Sequence, residues 1–511
     1  EYESLSVYSA TGGDLKLLTS KDVDHSLGLL YLAGTELLGY RLSDEYKVMG
    51  LAPHGDPARY RGVFESVYQL DPDGDFTMNF ADLPLACYRA GFRPRRAGEA
   101  FTRSHQDFAA GLQETVERIG WHVISHWQRA TGHRRLAIAG GVGQNCTLNG
   151  RLLRTDRFDD VFVHPAAHDA GTAVGAALLV HAETAGAPGA GPAPVRSRIR
   201  EVFWGVDLPD HDALVTRLRS WSRFCTATRS PAVVAETAQL LADGQVVGWV
   251  QGRSEFGPRA LGHRSILADP RPESNRDRVN LMVKQRETYR PFAPSVQAER
   301  LHDFFEYPRG MPPPDFMVFA VPVRPEVRHQ LGAVTHVDGT ARVHAVDRAV
   351  NQRFWELLGA FAGHTGVPVL LNTSFNNHAE PIVDSVDDAV RCFLTTTIDC
   401  LVIDDLVVTK RPWTGDELMD LVAALPSGVV LRSEHSPDGD RHQIAFTQRD
   451  GRSTGIDAVT MAVLGRVDRV TPLRALAAAA GHPDWHPTDM IMKLWTDRYL
   501  DLRPDHDSDR R

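Results

Sequence analysis

At 511 residues, with 42% apolar and 24% charged residues, the chain has the make-up of a large globular protein of roughly three domains, taking about 100 to 200 residues for each. Its net charge of −9 disfavours a nucleic-acid partner held by overall positive charge, and no apolar run reaches the roughly 18 residues of a membrane span. The five cysteines, Cys87, Cys146, Cys225, Cys392 and Cys400, are scattered without a CxxC pair; they indicate neither a disulfide frame nor a thiolate zinc site and fit a reducing cytoplasm.

The chain starts at Glu1, and SLSVYSATGGDLKLL reads as a β-hairpin turned at Gly12 and Gly13, with no signal peptide expected ahead of it. Residues 24–39 space Leu27, Leu30, Tyr31, Leu37 and Leu38 as a helix does. Lys47 follows in YKVMGLAPHG (residues 46–55), one of few lysines in an arginine-biased chain. Residues 107–131 place Phe108, Leu112, Val116, Ile119, Val123 and Trp127 three or four apart, which predicts a long helix with one apolar stripe. His122 and His126 sit four apart on that helix. Without an acidic partner nearby they read as a solvated face rather than a metal pair.

Residues 135–139 (RLAIA) form a short apolar strand that runs into GGVGQNCTLNG (residues 140–150). Glycines there let backbone amides approach an anion, and the following helix offers its positive end. The same GGxG also suits a plain tight turn. A second strand, residues 160–163, ends in HPAAHDAGTAVGAALL. Asp169 stands at that strand-to-helix junction, where aspartate caps helices readily. The small residues Gly171, Ala173, Gly175 and Ala176 favour close packing. Residues 184–195 (TAGAPGAGPAPV) are a linker by composition.

A second unit begins near Arg200, with a helix over residues 231–242 and a strand over residues 246–250. That strand empties into residues 251–294, which carry Arg253, Arg259, Arg264, Lys284, Arg286 and Arg290 among glycines and prolines. A buried strand opening into guanidiniums presents fixed forks to phosphate or carboxylate oxygens; a solvated charged loop is the ordinary alternative. THVDGTARV (residues 335–343) contains Asp338-Gly339, a good hairpin turn. The strand at residues 367–371 leads into the polar turn of residues 372–377. Beyond Trp413, residues 416–424 read as a helix, 428–432 and 442–447 as strands, and helical segments follow to Tyr499. This allows a winged-helix-like module. The charged tail, residues 504–511, reads as frayed.

Residues 251–294, with GPRALG and KQRETYRPFAP, then THVDGTARV and VLLNTSFNNHAEPIV (residues 369–383), resemble in order the natural-product O-carbamoyltransferases, the family of antibiotic and Nod-factor carbamoyltransferases. YKVMGLAPHG and GGVGQNCTLNG resemble that family's other domain, and the likeness spans about residues 1–412. It implies an α/β protein. An actin-like (ASKHA, Kae1-like) nucleotide and carbamoyl-transfer domain would cover residues 1–183, lacking upstream the family's metal-holding histidine pair and Asp-Gly. Residues 184–199 would be a linker, residues 200–412 a YrdC-like domain forming carbamoyl-adenylate, and residues 413–511 a small α+β extension outside the likeness.

The resemblance implies carbamoyl transfer to a hydroxyl of a small molecule, with carbamoyl phosphate as donor and ATP as activator. Arg259, Lys284, Arg286 and Arg290 are then the clamps on two anions. His336, Asp338 and Arg342 are a hydrogen-bonding triplet, and Asn372, Thr373, Ser374 and Asn376 a polar loop for carbamoyl or ribose. Lys47 would meet nucleotide phosphate, and Gly140, Gly141 and Asn145 would face ATP or carbamoyl-adenylate. Asp169 would be a metal ligand, with Mg²⁺ accompanying ATP and Fe²⁺ or another divalent metal in the first domain. His164 and His168 depart from the family pattern. No nucleic-acid or membrane partner is expected, and a homodimer is compatible. The alternatives are a threonylcarbamoyl-type tRNA modification enzyme and a nucleotide-binding scaffold with a degenerate first domain.

Overall fold

Val247, Gly248, Trp249 and Val250 are all buried and form one of the central strands of the molecule. The computed structural model describes residues 3–11, 14–184, 198–437, 439–447 and 452–505. Its largest sheet has eight strands, in the order His344–Val346, Ala293–Gln297, Val369–Ser374, Arg264–Ala268, Val247–Val250, Cys400–Ile403, Leu406–Lys410 and Cys225–Arg229. Pairing is mixed, with two parallel ladders among antiparallel ones. The central strands are near-continuous apolar runs because both faces are covered.

Alternate side chains go to opposite faces, as a pleated strand requires. Val247, Trp249, Leu267 and Leu370 meet the helices Val233–Ala242 and Gln352–Thr365 through Leu241, Phe354 and Phe361. Val250, Ile266, Ala268 and Leu371 face a larger core that includes the helices His211–Ser220 and Val386–Leu394. Thus the protein is mixed α/β around a large sheet.

The strand Val369–Ser374 differs from expectation. Asn372, Thr373 and Ser374, read as a polar turn, continue the ladder and pair with Leu267, Ile266 and Ser265. Neighbouring strands on both sides override the weak strand preference of asparagine and serine.

The first part of the chain has its own buried cluster. The expected hairpin is present as Glu3–Thr11 paired with Asp14–Asp22, and its two-glycine turn lies outside the described residues. The helix Leu27–Leu37 follows. The long helix is Arg103–Thr131, one turn longer than its apolar stripe, because Thr102 and His105 form a capping box at its start. His122 differs from the solvated reading: its Nε2 binds the carbonyls of Asp71 at 2.9 Å and Asp75 at 3.0 Å. The two expected strands are present as Arg135–Ile138 and Asp160–Val163; they pair in parallel, and the helix Cys146–Leu153 lies between them in sequence. The linker at residues 184–195 falls, beyond Thr184, outside the described residues.

The last hundred residues join the large core rather than standing apart. In place of one helix over residues 416–424 there is a short helix, Gly415–Met419, and a strand, Val422–Ala424, which pairs with Asp501–Arg503. A three-stranded sheet, Val429–Glu434, Arg441–Phe446 and Ser453–Ile456, has one strand more than expected. The helices Ala458–Leu464, Leu473–Ala479 and Thr488–Thr496 bury Leu464, Leu473, Ile491 and Leu494 in the same cluster as the sheet. Trp495 stacks on Trp221 at 6.4 Å with the rings 6° from parallel. Among the described residues no helix is long and apolar enough to cross a membrane.

Candidate active site

The cations of residues 251–294 divide by their partners. Arg264 is fully buried, and its guanidinium donates to the carbonyls of Gln251, Gly252, His263, Val206 and Asp384. It staples the loop, with Glu255 accepting from the amides of Leu261, His263 and Arg264. Arg253 is exposed and reaches the Trp204 carbonyl.

Lys284 differs from the clamp role expected of it. Its buried ammonium donates to Ser374 O at 2.5 Å, Ser374 Oγ at 3.1 Å, Asn376 O at 2.9 Å and Asn376 Oδ1 at 2.5 Å. All four are neutral acceptors. Burial, then Arg286, holds its pKa well below the usual lysine range.

Arg259 and Arg342 are the opposite case. Among the described residues neither guanidinium makes a hydrogen bond or ion pair, and the Nε of each is enclosed without a partner. Burial, Arg342 and Arg290 together push Arg259 down to about 9. Arg342 is depressed by burial and Arg290. Arg286 is depressed by burial first and then by Arg290 and Arg342, while its Nε donates to Asn280 Oδ1 at 2.6 Å and its plane lies 4.5 Å from the Phe292 centroid. Arg290 lies 4.6 Å from the Tyr46 centroid, with Glu287 3.6 Å away. Four guanidiniums therefore act on one another electrostatically, with Glu287 the carboxylate beside Arg290. Like charges brought out of water are costly unless an anion completes them.

Local backbone sets this geometry. The π-helical turn Val279–Lys284 and Gln285 in the left-handed region (φ 47°) swing the chain so that Arg286 and Arg290 follow Lys284 closely. Arg342 ends the strand Thr340–Arg342, whose residue Arg342 pairs with Ala320 of Ala320–Pro322. The helix Cys146–Leu153 rests on that same strand. Its Asn149 donates to the Val318 carbonyl at 3.0 Å, and a Cβ on Gly150 would lie 1.9 Å from Ala320 O. Cys146, the first residue of that helix, acts electrostatically on both Arg259 and Arg342. The cluster thus sits where the first part of the chain meets the second, near a helix N-terminus whose free amides favour anions.

The first part also grips the segment carrying Arg286 and Arg290. Tyr40 OH donates to Glu287 Oε1 at 3.1 Å and shares a 2.6 Å bond with Tyr289 OH. Lys47 pairs with Asp44 at 2.7 Å and lies 5.0 Å from the Tyr40 centroid. Tyr40→Phe is expected to cost about 1 kcal/mol and to weaken phosphate binding, which denaturant unfolding and calorimetry will show.

The remaining expected residues are placed as follows. Gly140 has φ 96°, and Cβ atoms built on Gly140 or Gly141 would meet open space. Asn145 turns inward: its side chain caps the helix at Leu148 N and exchanges two 3.0 Å bonds with Gln113. His336 shares a 3.1 Å bond with Thr340, and burial pushes it down to about 4, with Asp338 opposing and Arg342 adding to the shift. Asp338 makes the turn, accepting from Thr340 N at 2.9 Å and Oγ1 at 2.7 Å. Asn372 Nδ2 donates to Ala260 O and Ser295 Oγ, so it fixes the backbone beside Arg259. Thr373 lies in the strand next to it. Asp169 is exposed, and its carbonyl accepts from Thr172 N. His164 and His168 accept from the amides of Ala166 and Ala170 through Nδ1. Among the described residues no three His, Cys, Asp or Glu side chains gather to hold a metal, around Asp169 or elsewhere. Tyr40 carried no sequence signal, whereas Glu287 and Tyr289 stand inside KQRETYRPFAP.

Two family models match the chain: carbamoyltransferase N-terminus over residues 1–178 and carbamoyltransferase C-terminus over residues 238–410. The chain is 49% identical over 503 residues to nodulation protein NolNO of Sinorhizobium fredii, covering 97% of this chain and 73% of that one. It is 45% identical over 506 residues to nodulation protein NolO of Bradyrhizobium diazoefficiens, covering 97% and 91%. It is also 37% identical over 378 residues to the 3'-hydroxymethylcephem-O-carbamoyltransferase of Amycolatopsis lactamdurans, covering 71% and 65%. Likeness at this level across nearly the whole chain, with both halves of one enzyme family matched in order, makes this protein a transferase and a member of the carbamoyltransferase family.

Proposed function

We propose that the protein is an ATP-dependent O-carbamoyltransferase. It forms carbamoyl-adenylate from carbamoyl phosphate and ATP and passes the carbamoyl group to a hydroxyl of a small molecule. In this proposal residues 1–183 are the Kae1-like transfer domain and residues 200–412 the YrdC-like adenylate-forming domain, working in the cytoplasm. The observation that carries it is the half-buried pair Arg259 and Arg342, which repel each other and whose guanidiniums, each with its Nε enclosed, have no partner among the described residues. The name of the Amycolatopsis relative, an O-carbamoyltransferase of a hydroxymethyl group, supports a hydroxyl acceptor.

The chemistry follows from charge. Carbamoyl phosphate yields carbamate and phosphate with one water. A carbamate oxygen then attacks the α-phosphorus of ATP, the bond to the β-phosphate oxygen breaks, and pyrophosphate leaves with the electron pair. The acceptor oxygen next attacks the carbamoyl carbon, AMP departs, and the hydroxyl proton passes to water. Arg259, Arg286, Arg290 and Arg342 hold the phosphates side by side and offset the charge gathered as the α-phosphorus is attacked. Enclosure keeps the short-lived carbamate from bulk water. His336, held neutral at pH 7, adds a hydrogen bond without another charge. Mg²⁺ enters with ATP as part of the substrate. The residues around Asp169 do not supply a metal-ligand set among those described, so no step is routed through a protein-held metal.

The test is direct: with carbamoyl phosphate and ATP, pyrophosphate is released, and a hydroxyl acceptor gains the mass of one carbamoyl group. Release without carbamoyl phosphate, or none with both, overturns the proposal.

A further inference from the structure

Neither family model reaches past residue 410, yet the end of the chain is wired to the cation cluster. Arg498, itself in the left-handed region (φ 61°), follows the helix Thr488–Thr496. Its guanidinium takes Glu380 in both prongs, Nε to Oε2 at 2.7 Å and Nη2 to Oε1 at 2.8 Å, and each side chain is only 10% exposed. The remaining donors reach Trp495 O at 2.6 Å and Thr395 Oγ1 at 3.2 Å. A second tie runs beside it, Asn377 Nδ2 to Thr496 O at 2.8 Å.

Glu380 and Asn377 belong to the irregular segment after the strand Val369–Ser374. In that segment Asn376 Nδ2 donates to Glu380 O at 2.8 Å, while Asn376 Oδ1 accepts from Lys284 Nζ at 2.5 Å and Ser374 Oγ at 2.8 Å. Lys284 closes the π-helical turn, two residues before Arg286. The path alternates side chain and main chain: Arg498 holds the Glu380 carboxylate, while Asn376 is tied to the Glu380 backbone carbonyl and to the Lys284 ammonium. A bidentate arginine-carboxylate pair shielded from water is the stiffest link available to such a path.

We propose that residues 413–511 are a working part of the anion site: Arg498 is a positioning residue that, through Glu380 and Asn376, fixes Lys284 and with it the segment bearing Arg286 and Arg290. The proposal rests on the reading of the arginine cluster as an anion site. It gives the extension a role in substrate affinity, which the family match to residues 238–410 does not assign.

The test uses the full chain and inorganic pyrophosphate as probe. Arg498→Lys keeps the charge and the burial but loses the fork. It is expected to weaken pyrophosphate binding by roughly five- to tenfold and to raise KM for carbamoyl phosphate more than it lowers kcat. Asn377→Ala, which cuts the second tie, should act in the same direction. Leu473→Ala, in the core of the extension and outside these two ties, lowers stability and should leave pyrophosphate affinity unchanged. If Arg498→Lys and Asn377→Ala bind pyrophosphate as the wild type does, or if Leu473→Ala weakens it equally, the positioning role is overturned while the anion site stands. A wild-type protein that does not bind pyrophosphate overturns the site and this inference together.

Discussion

Arg259→Ala is expected to lower pyrophosphate release by about a thousandfold while leaving the empty protein as stable as before, or more so. Ordinary truncation of an enclosed side chain costs stability, because packing or hydrogen bonds are lost. Here no bond is lost. Arg259 has no partner among the described residues, and Arg342 and Arg290 repel it. Removing it relieves that repulsion, and the penalty falls wholly on the ligand-bound state. Initial rates and denaturant midpoints of the wild type and the variant decide the matter. A wild-type rate, or a loss of stability typical of a core truncation, rules out the assignment.

Gly150→Ala is expected to cost about 3 kcal/mol of stability and at least about tenfold in pyrophosphate affinity. The added methyl would lie 1.9 Å from the Ala320 carbonyl oxygen, 2.8 Å from its carbon and 3.0 Å from its nitrogen. These are backbone atoms, so no rotamer change relieves the clash. Ala320 pairs with Arg342 across the ladder. Movement of the helix Cys146–Leu153 away from that strand therefore shifts Cys146, at its N-terminus, relative to Arg342, on which it acts electrostatically. Gly62→Ala is the control, since a Cβ there meets nothing within 4 Å. Equal behaviour of the two variants would show that the contact at Ala320 carries no weight.

The sequence disclosed those parts of the molecule whose cause is local. The stripe from Phe108 to Val123 marked the long helix because its spacing matches the helix period, and only the capping box at Thr102 and His105 moved its start. Arg259, Arg286, Arg290 and Arg342 stood inside recognisable motifs and come together in the fold. What stayed hidden depends on distant partners. Lys284 looked like a free cation because Ser374 and Asn376, about ninety positions away, are what enclose it. Asn372 to Ser374 looked like a turn because their ladder partners come from Ser265 to Leu267. Tyr40 gave no sign at all, its partners being 247 and 249 positions on. The packing of residues 413–511 into the sheet's core was equally illegible, for alternating short strands and helices do not say which surface they cover.

The nearly parallel indoles of Trp221 and Trp495 give the molecule a built-in optical gauge. Two such chromophores, both fully buried, couple their transitions. One belongs to the segment that follows the first part of the chain and the other to its far end, so their joint signal persists only while the terminus stays seated. Seating of the terminus can therefore be followed by light alone, with no ligand and no label.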